Sequence, residues 1–196
     1  MKAPTSEGKK TTPQFEYIPA GKTTAIVSKI IDLGTHLKKS KDYGDKMKRL
    51  IRIERELPQI KRVFSEDKGE QSAIYAKDYT FSLHEKAELT RICSDVIWKS
   101  VEEDFDIDDM LWKYCVIKFE HTVSWENTRV NIFSITDMDD EDTAKALEKN
   151  IVADNEQFVL SLDAFDQKTY EKLPEWLQKK IAESPEYTKA VEDLPF

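Results

Sequence analysis

Only five glycines, two cysteines and three histidines occur among 196 residues. Gly8, Gly21, Gly34, Gly44 and Gly69 are isolated from one another, so no glycine-rich loop exists to cradle a nucleotide phosphate. His36, His84 and His121 are scattered and fall in no metal-ligand spacing. Cys93 and Cys115 carry no paired-spacing motif and read as small buried apolar residues in a reducing compartment. No serine sits in a nucleophile elbow. No run of about 18 apolar residues is present to span a bilayer, and Met1–Ser6 lacks the apolar stretch of a secretory signal. The acidic run toward Asp109 starts as a calcium loop would, but Asp109 stands where such a loop needs glycine and Cys115 where it needs glutamate. Asp137, Asp139, Asp140, Glu141 and Asp142 form an acidic run that could hold a divalent ion. With no histidine or basic partner beside them, they read as a solvated linker. These absences argue against an enzyme and against a cofactor.

Charge is plentiful and segregated. The formal net charge is −8, the wrong sign for a nucleic-acid binder taken whole. Residues 1–136 hold 23 Lys and Arg against 22 Asp and Glu, whereas residues 137–196 hold 7 against 16. Within the first part, residues 35–62 hold ten basic and four acidic residues. A balanced body with a basic stripe and an acidic end is the pattern expected when a tail competes with DNA for one surface.

Residues 1–14 are polar, with Pro4, Gly8 and Pro13, and read as a disordered arm. Thr23–Leu33 is rich in β-branched residues and predicts a first strand ended by Gly34. Thr35–Lys48 reads as a basic loop. Alternation of Ile51, Ile53 and Leu57 with charged residues predicts a second strand over Arg49–Leu57, closed by Pro58. A third strand follows over Ala73–Leu83. Ser82 and Glu85 suggest a capping box, after which Leu89, Ile92, Cys93 and Val96 fall at helical spacing. Tyr114–His121, a turn over Val123–Glu126 and Thr128–Ile135 complete a fourth and a fifth strand. The predicted fold is therefore mainly β: an OB-fold, a five-stranded Greek-key barrel with one helix between strands three and four, over residues 15–136. Residues 137–186 read as an acidic linker with a strand and helix extension, in which Pro174 suits a first helical turn and Pro185 a stop. Residues 187–196 read as a flexible tail.

Single strands are held by neutralising phosphates and stacking bases on aromatic rings. Lys38, Lys39, Lys41, Lys46, Lys48 and Arg49 offer the charge, and Arg52 and Arg55 continue it along strand two. Lys77, Lys118 and Arg129 extend the track. Tyr43, Tyr75 and Trp125 are the stacking candidates, whereas Tyr79 and Phe81 share a face with Leu83 and read as core. Arg52 is expected to face solvent; Arg55 shares the apolar side and needs a bulge or an early strand end to reach it.

The last residues, Glu192-Asp193-Leu194-Pro195-Phe196, resemble the acidic tail of bacterial single-stranded DNA-binding proteins, which docks replication and repair partners. Proline stiffens such a peptide, and Phe196 with the carboxylates suits a basic cleft with an apolar pocket. Tyr79–Lys86 and Leu173–Ile181, followed by Ser184-Pro185-Glu186-Tyr187, resemble segments of phage-encoded single-stranded DNA-binding proteins of replication modules. That resemblance implies an OB-fold, a role in bacteriophage DNA replication or recombination, and residence in the host bacterial cytoplasm. It implies single-stranded DNA and replication or recombination proteins as partners, with no membrane and with homo-oligomers left open. The rival expectation is an acidic phage protein that uses an OB-like fold to bind or inhibit a protein partner. A third is a mediator that anneals complementary strands.

Overall fold

The computed structural model describes residues 17–39, 44–63, 69–97, 101, 105–124 and 127–193; the arm expected over residues 1–14 lies outside them. The elements are β1 (Gly21–Lys38), β2 (Lys46–Val63), β3 (Glu70–Thr80), α1 (Glu88–Ile97), β4 (Tyr114–Ser124), β5 (Asn127–Asp137), α2 (Asp140–Glu148), β6 (Phe158–Leu160), α3 (Gln167–Glu171), α4 (Glu175–Ala182) and α5 (Pro185–Glu192). A 3-10 turn over Ile107–Met110 precedes β4. The protein is mainly β. Its sheet runs in the order β3-β2-β1-β4-β5, with antiparallel neighbours throughout, and β6 adds to β1 in parallel. Among the described residues no ladder joins β3 to β5, so the sheet is open at that seam.

β1 organises everything else. One edge pairs with β2; the other pairs with β4 over Gly21–Ile26 and then with β6 over Lys29–Ile31. Side chains alternate across a strand, and the bulge between Val27 and Lys29 shifts that parity by one residue, so β1 feeds two cores. Ala25, Val27 and Ile30 join Ile51, Ile53, Leu57, Tyr79, Ile117, Phe119 and the apolar stripe of α1, Leu89, Ile92, Cys93 and Val96. Ile31 and Leu33 instead join Leu160, Leu162, Leu173, Leu177 and Ile181 of the C-terminal extension. Cys93 and Cys115 are free and buried, and burial pushes their thiols up to about 12 and about 11.

Several boundaries differ from the sequence reading, each for a local reason. Gly34 does not end β1; the ladder to β2 slips between Asp32 and Gly34 and resumes to Lys38. Gly34 has φ +74°, and a Cβ there would sit 2.2 Å from Ser184 Oγ, so glycine permits both the bulge and the approach of α5. Pro58 does not close β2. The ladder to β3 breaks between Leu57 and Lys61, where proline has no N–H to offer, and continues to Val63. Among its described residues, Thr35–Lys48 is consequently mostly strand rather than loop, over 35–38 and 46–48. Ser82 does not cap α1: its Oγ accepts from the His84 N–H at 3.3 Å, Thr90 Oγ1 donates to the His84 carbonyl at 2.8 Å, and the helix begins at Glu88.

Three of the extension's four helices carry side-chain caps; α4, entered at Pro174, has none. Asp139, Asp166 and Ser184 accept backbone N–H bonds at the starts of α2, α3 and α5. α4 ends at Ala182, ahead of Pro185 as expected, and Pro185 then opens a further helix not foreseen, α5, at the first-turn position where a missing N–H costs nothing. The segment expected to be a free tail from residue 187 is therefore helical to Glu192, anchored by Tyr187 stacking on Tyr170 with ring centroids 5.0 Å apart. No helix among the described residues is long and apolar enough to cross a membrane.

Candidate nucleic-acid interface

The arginines of the expected stripe are already committed. Arg55 lies fully buried in the inner core, with Nη1 3.5 Å from the Tyr79 hydroxyl and with Nε and Nη2 unpartnered. It follows the inward parity of Ile51, Ile53 and Leu57, and no bulge frees it; it is not a phosphate contact. Arg52 has the outward parity expected of it, yet it does not face solvent. Its guanidinium bonds Glu54 at 3.0 Å and Asp78 at 2.8 Å and lies 5.1 Å from the Trp176 ring of α4. Arg49 bonds Asp32 and, at 2.8 Å, Asp163 of the extension. The Asp32 hydrogen bond, helped by Asp163, raises its affinity for its proton by more than burial lowers it. Asp78 receives Lys180 at 2.6 Å as well. Burial pushes that carboxyl up, but Lys180 and Arg52 outweigh it and hold Asp78 below the usual carboxylate range. The outer face of β2 is thus covered by the extension.

The lysines have a different fate. β1 and β2 pair Lys38 with Lys46 and His36 with Lys48, so Lys38, Lys39, Lys46 and Lys48 gather at one hairpin tip. The chain leaving β3 folds back beside this tip, where the Phe81 N–H donates to the Arg49 carbonyl at 2.8 Å. Between them lies a groove of about 400 Å³ lined by Lys38, Lys48, Thr80, Ser82, His84 and Lys86. Its two carboxylates are neutralised: Asp78 as above, and Glu88 by Lys77 at 2.6 Å. Lys38, Lys48 and Lys86 have no acidic partner among the described residues. Ammonium groups, hydroxyls and an imidazole in one open groove suit a phosphate backbone. His84 and Lys86 escaped the sequence reading; the polar cluster Ser82–Lys86 directly after a strand was the signal for them.

The rest of the expected track is dispersed. Tyr75 is half-buried against Phe119, ring centroids 5.3 Å apart, and is committed to packing. Lys77 is held by Glu88, and Lys118 by Glu120 at 3.1 Å. Arg129 is exposed on β5 opposite Thr122. β4 and β5 run past the Gly21 end of β1 to Ser124 and Asn127, whereas the lysines gather toward Lys38, so the described ends of the two expected loops sit at opposite ends of that strand. Trp125, Lys41 and Tyr43 lie outside the described residues, as do Leu194, Pro195 and Phe196 of the expected docking peptide; Glu192 and Asp193 are exposed at the end of α5. An exposed aromatic not foreseen is Phe133. It is the extra residue where β4 and β5 slip register between Lys118 and Phe119, and Lys118 Nζ sits 4.0 Å from its ring centroid. Two adjacent apolar letters, Ile132-Phe133, hid that bulge from any alternation pattern.

Among the described residues no group of His, Cys, Asp and Glu is arranged to hold a metal ion. Neither protein-family models nor curated proteins give a match to this chain.

Proposed function

We propose that the chain is a non-catalytic single-stranded DNA-binding protein on an OB-fold-like sheet, which seats the DNA backbone in the lysine groove at the β1–β2 tip and recruits partners through Glu192–Phe196. The order β3-β2-β1-β4-β5, with α1 packed beneath, is that of an OB barrel opened between its third and fifth strands, which supports the fold half of the reading. The observation that carries the function is the contrast in charge pairing. Arg49, Arg52 and Arg55 are tied or buried, while Lys38, Lys48 and Lys86 converge on one groove without acidic partners among the described residues. Lys39 and Lys46 add charge at its mouth, and Phe133 offers a separate stacking surface. A role in phage DNA replication or recombination, in the host cytoplasm, follows from the resemblance of the tail and of the Tyr79–Lys86 segment. The test is fluorescence anisotropy with labelled oligo-dT. The triple variant Lys38→Ala/Lys48→Ala/Lys86→Ala should bind at least about tenfold more weakly than wild type at low salt. Equal affinity in the two proteins, or no binding by wild type, would remove the reading.

A further inference from the structure

A second and larger groove, of about 750 Å³, opens where the 3-10 turn, the end of α1 and the start of α2 meet. Val96, Ile97, Leu111 and Met138 give it an apolar floor. Trp112 stands in it 61% exposed, outside both cores. Its φ is +70°, a left-handed backbone that a bulky residue rarely adopts. The conformation is imposed by β1: the Trp112 N–H donates to the Val27 carbonyl at 3.0 Å, and the Val27 N–H donates to the Lys113 carbonyl at 3.0 Å. Glycine would satisfy that backbone without strain, so the indole stands against local preference and with nothing among the described residues to cover it. Around it stand Asp108, Asp109, Asp137 and Asp140, none in an ion pair among the described residues, against Lys113 as the one cation of the lining. Burial, and after it the charges of Asp106 and Asp109, push the Asp108 carboxyl up.

We infer that this groove is a docking surface for a cationic peptide segment of a partner protein, whose Lys or Arg lies on the Trp112 ring, whose apolar residue fills the floor and whose further charges meet the aspartates. Charge complementarity selects the partner: an open indole favours a cation on its face, and an unpaired carboxylate rim repels DNA and acidic peptides. The site is independent of the lysine groove and survives the failure of the DNA reading.

The experiment is fluorescence anisotropy of the full chain with a labelled nine-residue peptide of six lysines and three leucines, and with its glutamate counterpart. The lysine peptide should bind wild type and the glutamate peptide should not. Trp112→Gly and Asp108→Asn/Asp109→Asn/Asp140→Asn should each weaken binding at least tenfold, while Glu171→Gln/Glu175→Gln/Glu183→Gln, which removes the same charge elsewhere, should not. Oligo-dT affinity should stay within twofold in Trp112→Gly. Should Trp112→Gly fail to fold, the aspartate variant decides. Equal losses in the two triple variants would reduce the binding to general charge attraction and overturn the proposal. Self-association that Trp112→Gly abolishes, with no peptide bound, would make the occupant a second copy and overturn it equally.

Discussion

At the scale of single residues, Arg55 shows how a charge can be present in a sequence and absent from a surface. It occupies an inward position of β2 with no exposure, and two of its three guanidinium nitrogens have no partner among the described residues. A buried cation so poorly matched costs more in desolvation than it returns, and an apolar residue of similar length removes that cost. Arg55→Met should therefore raise stability by about 1–3 kcal/mol in urea denaturation, with oligo-dT affinity unchanged within twofold. A destabilised Arg55→Met would mean that the guanidinium has partners in solution, and a loss of DNA binding would return it to the interface. The sequence did hold the warning, since Arg55 shares parity with Ile51, Ile53 and Leu57. What it could not hold was which strand would carry the bulge there: the ladder slips between Val27 and Lys29, opposite Arg55 and Glu54, with the extra residue Ser28 on β1, so the parity of β2 is unbroken. The register slips among the described residues, at Val27–Lys29, Asp32–Gly34, Leu57–Lys61 and Phe133, each belong to a pair of strands and not to one sequence. Trp112 is a similar case, its left-handed backbone set by pairing to Val27 and not by its own type.

Elements were legible where they bury one face. β1, β2, β3, β4, β5 and α1 each carry a β-branched run, an alternation or a helical stripe, and their order was readable. The destination of the extension was not, because nothing in Leu173–Ile181 says which face of the sheet it will cover. That contact decides the fate of Arg49 and Arg52, and it rests on close fits. Gly34→Ala would push a methyl into Ser184 Oγ and place a Cβ at φ +74°. It should destabilise the protein by about 2 kcal/mol or more, since backbone strain and a clash act together. Thermal denaturation is the measurement, and an unchanged midpoint would mean that α5 does not seat on Gly34. The same interface should be sensitive to acid. Hydrogen bonds from Lys61 and then Ser72 hold Asp154 below the usual carboxylate range. Burial pushes Glu186 up, but Thr35, donating from its N–H at 2.8 Å and from its hydroxyl, outweighs this and holds it low. Asp78 is likewise lowered. Groups with depressed folded values contribute stability above the unfolded carboxylate value, about 4, and lose it as pH falls through the lowered values. Hydrogen-exchange protection of α4 and α5 should accordingly drop between about pH 4 and pH 2 ahead of protection in the β1–β2 ladder. Simultaneous loss in both would show that the carboxylates do not govern docking separately.

The whole molecule separates its charges: lysines project at one tip, while an extension carrying 16 Asp and Glu against 7 Lys over residues 137–196 wraps β1 and β2. Folding makes much of that negative charge local. Asp163 and Asp154 are spent on Arg49 and Lys61 of the sheet, and Glu156 on Lys172. A swinging acidic tail of the size suggested by composition therefore shrinks to Glu192 and Asp193 at the end of α5. Those residues nevertheless emerge close to the groove. α5 is pinned at its start, where Glu186 accepts from Thr35, and Thr35 lies three residues before Lys38 on β1, about 10 Å along the strand. Eight helical residues add about 12 Å at most. Carboxylates at that range lie within about two Debye lengths of the lysines at 0.1 M salt, near enough to repel a phosphate backbone weakly and to be silenced by added salt. Deleting Glu192–Phe196 should thus tighten oligo-dT binding by about two- to fivefold near 20 mM salt and leave it unchanged near 0.3 M, because the screening length falls from about 20 Å to about 6 Å. Affinity that falls after the deletion would place the tail among the DNA contacts. Tightening that persists at high salt would mean that Phe196 and its neighbours fill the groove sterically, a packed plug in place of a distant charge.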